Sequence, residues 1–176
     1  ALVYGFPDGS GTKETTVTDA LGGTLLDTYD IDDNLTQRTD PLGAATALTY
    51  DESDRRTSLT DAEFNVTSYV YDSESGFLAT LIHPEGARTT YHYAATADTL
   101  GLVFHDVSSI DHPAGNSETF ALDASGNVTS HTGRGGAVTN FTHNARGQLL
   151  TVTNALGATT TFAYNPDATL ASATTE

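Results

Sequence analysis

Residues 29–51 read YDIDDNLTQRTDPLGAATALTYD, and the order of residue types in this stretch decides the fold. One tyrosine–aspartate pair opens it and another closes it, with two turn signals between them. The first follows Tyr29, where Asp30 can bond the backbone amides of its own turn. The second is Asp40-Pro41-Leu42-Gly43, in which proline presets φ and glycine accepts a positive φ. The residues after Asn34 and those before Tyr50 are left as short strands. In the second of these, Thr46, Leu48 and Tyr50 fall on one face, the period of two that marks a half-buried strand.

The same arrangement recurs in both directions. Tyr29-Asp30, Tyr50-Asp51 and Tyr71-Asp72 are 21 residues apart, and the series continues through Tyr93-Ala94, Leu122-Asp123, His143-Asn144 and Tyr164-Asn165 with steps of 22, 29, 21 and 21. The second landmark recurs as Asp19-Ala20-Leu21-Gly22, His83-Pro84-Glu85-Gly86, His112-Pro113-Ala114-Gly115 and Asn154-Ala155-Leu156-Gly157. Periods of this length identify repeat architectures, in which one supersecondary unit is stacked on the next. The expected fold is all-β, with tandem hairpins of about 21 residues laid side by side in an antiparallel sheet. Residues 1–176 form one array of seven to eight units, with a degenerate first unit at 1–28 and an enlarged unit at 94–121. The extra residues of the enlarged unit predict loop insertions at the rim of the sheet. Stacking predicts that the aromatic stripe is buried continuously as packing.

Composition narrows the function. The chain has 176 residues with 23 Asp+Glu against 7 Lys+Arg, a formal charge of −16. Nucleic-acid binding needs clustered cations, and anionic membranes need the same, so neither is an expected partner. Cysteine is absent, which removes disulfides, thiol nucleophiles and cysteine-ligated metals. No apolar run approaches the ~20 residues of a membrane-spanning helix. The single lysine, Lys13, among so many acids also suits a surface kept soluble at high salt. Threonine, 31 residues of it, favours strands over helices.

The Tyr-Asp anchor, the Leu that follows the turn and the Asp-Pro-x-Gly landmark resemble the YD repeat of the RHS (rearrangement hot spot) family. Tyr29, Asp30, Leu35, Thr39, Asp40, Pro41, Gly43, Thr46 and Tyr50 carry the likeness within one unit, and it extends from about Asp8 to the end. Asp33 and Asp54 depart from it at the turn glycine, Leu122 and His143 at the tyrosine, and Gly133-Arg134-Gly135-Gly136 at Asp-Pro-x-Gly. The resemblance implies a sheet that curves or spirals into a hollow shell, as in polymorphic toxins, toxin complexes and teneurin-like surface proteins. It implies a structural, non-catalytic segment of a secreted or cell-surface protein, whose wall encloses toxin-like cargo or builds a stalk or fibre. Its partners would be the remainder of the same repeat chain, or identical copies, at the open sheet edges.

The alternative is an adhesion module binding calcium or surface glycans along the acidic turns. Asp30, Asp32 and Asn34 place oxygen ligands at alternating positions, as calcium loops do, but without the glycine and distal glutamate of an EF-hand. No other cofactor is expected. Six histidines (His83, His92, His105, His112, His131 and His143) invite a metal reading, with His105-Asp106 and Asp111-His112 the densest local grouping; turn and surface roles explain them more simply. Asn34, Asn65, Asn127 and Asn140 head Asn-x-Thr sequons. No nucleophile elbow, phosphate loop or His-Glu-x-x-His motif is present, so no catalytic residue is expected.

Overall fold

The computed structural model describes residues 2–5, 12–97 and 101–176. Residues 6–11 of the degenerate first unit, with the start of the family likeness at Asp8, and Asp98 to Leu100 of the enlarged unit lie outside the described residues. All regular structure among the described residues is strand. In the first compact unit, residues 1–72 with 80–87, the strands are β1 (Leu2–Gly5), β2 (Lys13–Thr18), β3 (Thr24–Tyr29), β4 (Leu35–Thr39), β5 (Ala45–Tyr50), β6 (Arg56–Thr60) and β7 (Val66–Tyr71). Next in the chain is β8 (Leu78–Ile82). The second unit, residues 73–79 with 88–176, holds β9 (Arg88–Ala97), β10 (Val103–Asp111), β11 (Ser117–Leu122), β12 (Val128–Thr132), β13 (Val138–His143), β14 (Leu149–Thr153), β15 (Thr159–Tyr164) and β16 (Leu170–Thr175). Within each unit every strand pairs antiparallel with its neighbour in sequence. Tandem hairpins are therefore the architecture of each unit among the described residues.

One turn closes both kinds of hairpin. After Tyr29, Asp30 N donates to Asn34 O at 3.0 Å and Asp33 N to Asp30 O at 3.3 Å; after Thr39, Asp40 N donates to Ala44 O at 2.9 Å and Gly43 N to Asp40 O at 3.0 Å. The side chain of the leading residue then takes two amides of its own turn, as when Asp40 Oδ1 accepts from Leu42 N and Ala44 N at 2.8 and 2.9 Å. This is a type I turn followed by a residue in the left-handed region. Glycine fills that last place at Gly43, with φ 88°, but Asp33, Asp54, Phe64 and Ala168 adopt it with φ of 58–70°.

The two hairpins of a unit differ at the bulge. Those that end in the tyrosine anchor slip by one residue beside it, between Thr28 and Tyr29, Thr49 and Tyr50, and Ala163 and Tyr164. Those closed by the Asp-Pro-x-Gly turn run in unbroken register. The unpaired residue is Thr36 in the first case, and its hydroxyl donates to Thr28 O at 3.1 Å; Thr129 does the same to Ala121 O at 3.1 Å. A bulge of this kind strengthens twist and re-aims the neighbouring side chain.

The re-aimed side chain is the anchor tyrosine. Tyr50, Tyr71, Tyr93 and Tyr164 donate their hydroxyls to the carbonyls of Leu35, Arg56, Leu78 and Leu149, at 3.0, 2.8, 2.8 and 2.9 Å. Each acceptor lies fifteen residues upstream, at the first residue of the preceding strand, where the ladder has ended and the carbonyl needs a donor. The tyrosine is thus a brace as well as a packing residue. Tyr71→Phe, which removes one hydroxyl and leaves the ring, is expected to lower stability by about 0.5–1.5 kcal/mol in urea denaturation. No change would show that solvent replaces the bond.

The predicted alternation holds: Thr46, Leu48 and Tyr50, and likewise Thr139, Phe141 and His143, are the less exposed residues of their strands. The expected continuous burial is not reached. No apolar side chain among the described residues is fully buried, and only Asp27 and Thr89 fall in the buried class, at 6% and 8% exposed. A sheet face with no second layer against it can cover its side chains only with their own neighbours, so it stays half-wet.

The enlarged unit differs from expectation too. Among the described residues, its extra residues lengthen two strands. β9 and β10 carry four additional pairs beyond Tyr93 and Val107, from Asp106↔Ala94 to Val103↔Ala97. Continuing the ladder satisfies backbone groups that a loop would leave to water.

Candidate functional site

The densest polar arrangement is on β11 and the turns beside it. Glu118, Phe120 and Leu122 alternate onto the less exposed face of that strand, so a carboxylate stands where the pattern places an apolar residue. It is matched by three groups. His112 Nε2 lies 2.9 Å from Oε1, His131 Nε2 3.1 Å from Oε2, and Arg134 Nε donates to Oε1 at 3.0 Å. His131 comes from β12, where it pairs across from Phe120 and stacks on its ring at 4.7 Å with planes 8° apart. His112 and Arg134 come from the turns before and after. The Arg134 guanidinium first, then His131 and His112, hold the Glu118 carboxyl down at about 2, against the opposing effect of desolvation. This knot lies where the repeat is weakest: Leu122 and His143 occupy anchor positions without a hydroxyl, and His143 Nδ1 is buried without a hydrogen-bond partner.

A second cluster lies on the opposite side of the same strands. Asp111 accepts from Ser117 Oγ at 2.6 Å and meets His92 Nε2 at 2.8 Å; the Ser117 bond, then His92, lowers its pKa. Serine, aspartate and histidine are all present, but in the wrong order for nucleophilic catalysis. The carboxylate separates the hydroxyl from the imidazole, whereas an activated serine needs the imidazole as its immediate base. The grouping His105-Asp106 and Asp111-His112 is not brought together. His105 sets its ring edge on Phe77 at 6.3 Å, Asp111 takes His92, and His112 takes Glu118. His83 leads its turn, its backbone amide donating to Ala87 O at 2.8 Å.

In the first unit, Arg38 reaches across from β4 to Asp27 on β3, with Nε–Oδ1 and Nη2–Oδ2 both at 2.7 Å. That fork is the main cause of the lowered pKa of Asp27. Arg56 lies 4.5 Å over the Tyr69 ring and donates to its hydroxyl at 3.1 Å.

The three calcium candidates lie in or beside one anchor turn. Asp30 Oδ1 accepts from Asp32 N at 3.0 Å and Asn34 N at 2.9 Å, and Asn34 Nδ2 donates to Asp54 Oδ1 at 2.8 Å. Asp32 contributes its backbone. No group of three His, Cys, Asp or Glu side chains placed to hold a metal ion occurs among the described residues.

The bond from Asn34 to Asp54 belongs to a series that sequence reasoning missed. Lys13 pairs with Asp33, Asn34 with Asp54, and Gln148 Nε2 donates to Ala168 O at 3.2 Å. A Cβ on Gly147 would lie 3.2 Å from Asn127 Oδ1. Asn34, Gln148 and Asn127, each the first residue after a turn, reach the left-handed residue of the next anchor turn twenty positions on, and Lys13 at the start of β2 makes the same step to Asp33. Within each unit these rungs join neighbouring anchor turns.

Tandem hairpins with a bulged anchor turn, a tyrosine brace and a rim of rungs define the class: a β-hairpin repeat protein built for extension. The family is read from the sequence of the units. The RHS Repeat model matches two segments of the chain, residues 29–63 and 143–175. Among solved structures it is similar to the Tc holotoxin pore of Photorhabdus luminescens, at 15% identity and a TM-score of 0.64, over 94% of this chain and 10% of that one. It is also similar to TcdB2–TccC3 without its hypervariable C-terminal region, at 17% identity and a TM-score of 0.49, over 95% of this chain and 12% of that one. The chain thus spans about a tenth of the length of the structures it resembles. No curated protein sequence matches it.

Proposed function

We propose that the chain is a non-catalytic wall segment of a secreted or cell-surface RHS protein, and that the wall encloses a toxin-like polypeptide. The observation carrying this reading is the sheet without a core. Both faces of each hairpin stay partly exposed and no apolar side chain is fully buried among the described residues, while brace, rung and turn fix the spacing of each unit on the next. Such a chain spends its sequence on maintaining a surface rather than on forming a pocket. The similarity to toxin-complex chains supports the same reading at the level of fold. β16, exposed along its length and paired on one side with β15, offers its other edge to a further repeat. Electron cryomicroscopy of the natural polypeptide that carries this chain tests the proposal. A closed wall around density not belonging to the wall is expected; an open or filamentous assembly with nothing inside overturns enclosure.

A further inference from the structure

In the first unit the turns of the second landmark carry apolar tips. Residues 19–23, 40–44 and 61–65 join β2 to β3, β4 to β5 and β6 to β7. The three turns therefore stand on one rim of that unit, each two strands from the next, or about 9.6 Å. At their tips Leu21, Leu42 and Phe64 are 97%, 94% and 86% exposed. An exposed leucine taken singly needs no explanation, but three in a row do. Elsewhere the third place of this turn holds Glu85, Ala114, Gly135 and Leu156, so no second row forms. Phe64 is the strongest signal. It takes the left-handed place of its turn with φ 65°, where Gly22 and Gly43 stand in the two turns before it. A bulky residue is an outlier in that region, and the ring, left open to water, offsets little of the strain by packing. Strain kept at an exposed position points to a use beyond folding.

We infer that this row of tips docks a basic amphipathic helix of a partner polypeptide, laid across the rim with its apolar side chains between Leu21, Leu42 and Phe64. Two observations select that occupant. Charge is the first. Residues 19–23, 40–44 and 61–65 include Asp19, Asp40, Asp61 and Glu63 and no Lys, Arg or His. Each of the three aspartates accepts two amides of its own turn at Oδ1, which fixes its carboxylate beside the tip. A helix with cations flanking its apolar face meets those carboxylates, whereas an anionic partner, nucleic acid or lipid, is repelled by them. Spacing is the second. Apolar residues at i and i+7 of one helix face lie about 10.5 Å apart, close to the repeat of the tips. The inference holds whatever the wall encloses.

Fluorescence anisotropy on the 176-residue chain tests it, with a labelled leucine–lysine peptide patterned as an amphipathic helix and a scrambled peptide of equal composition. Saturable binding of the patterned peptide is expected, with the scrambled one at least about tenfold weaker. Leu42→Ser combined with Phe64→Gly keeps every carboxylate and should raise the dissociation constant at least about tenfold. Leu156→Ser, at an equally open tip of the second unit, should leave it unchanged. Phe64→Gly alone should unfold at an equal or higher urea concentration, because glycine adopts the left-handed region freely. That separates docking from stability. No binding, equal affinity for the two peptides, an unchanged constant in the double variant, or tip-dependent binding to neutral phosphatidylcholine vesicles in place of the peptide would each overturn the inference.

Discussion

Glu118→Gln is expected to unfold at a lower urea concentration than the unaltered chain at neutral pH, and the gap between them should close in acid. The ionised Glu118 holds Arg134, His131 and His112 at once, and the neutral amide can satisfy none of them by charge. The sign follows from linkage. In the folded chain the Glu118 pKa lies at about 2, below its ordinary 4.5, so the unfolded chain takes up the proton first as pH falls. The stabilisation is complete above the unfolded value and is lost as pH drops from 4.5 towards 2. The groups facing this carboxylate are His112, His131 and Arg134. Urea midpoints measured across this range decide the matter. A gap of constant size, or none at pH 7, would mean that the knot is a surface decoration.

Asp27→Ala is the second large effect. The Asp27 side chain is 8% exposed and meets two nitrogens, Nε and Nη2, of an arginine side chain that is itself half exposed. Breaking a wholly buried pair costs about 3–5 kcal/mol. Arg38 can rehydrate once released, so a loss of about 1.5–3 kcal/mol is expected, the range of hydrogen bonds to charged groups. Asp27→Asn, which keeps an acceptor but not the charge, should fall between. A loss below ~0.5 kcal/mol would place the pair among ordinary surface ion pairs.

The hairpin architecture was legible because two signals with different physical causes share one period. Turn chemistry set where the chain reverses at Asp40-Pro41-Leu42-Gly43, and alternation set which face Thr46, Leu48 and Tyr50 occupy. The bulge was not legible, since the slip at Tyr50 depends on where the cross-strand ladder stops. Nor was the role of the tyrosine hydroxyl, whose acceptor is a backbone carbonyl on another strand. Sequence proximity misled with the histidines: Asp111 and His112 are adjacent in the chain but answer to different partners. Glu118 carried a usable signal, because an acid at an alternation position shared with Phe120 and Leu122 requires cations opposite it. The insertion after Tyr93 reads as a loop by length alone. Its Ala94-Ala95-Thr96-Ala97 and Val103-Phe104 segments nevertheless pair as strand.

The turns led by Asp40, Asp61 and Asn154 each bind their own leading carboxylate or carboxamide. Removing or duplicating one whole module therefore orphans no donor inside any other, whereas cutting a fraction of one strands a tyrosine without its carbonyl and a rung without its foot. Such a polypeptide can change length through evolution in complete steps, like a chain shortened link by link.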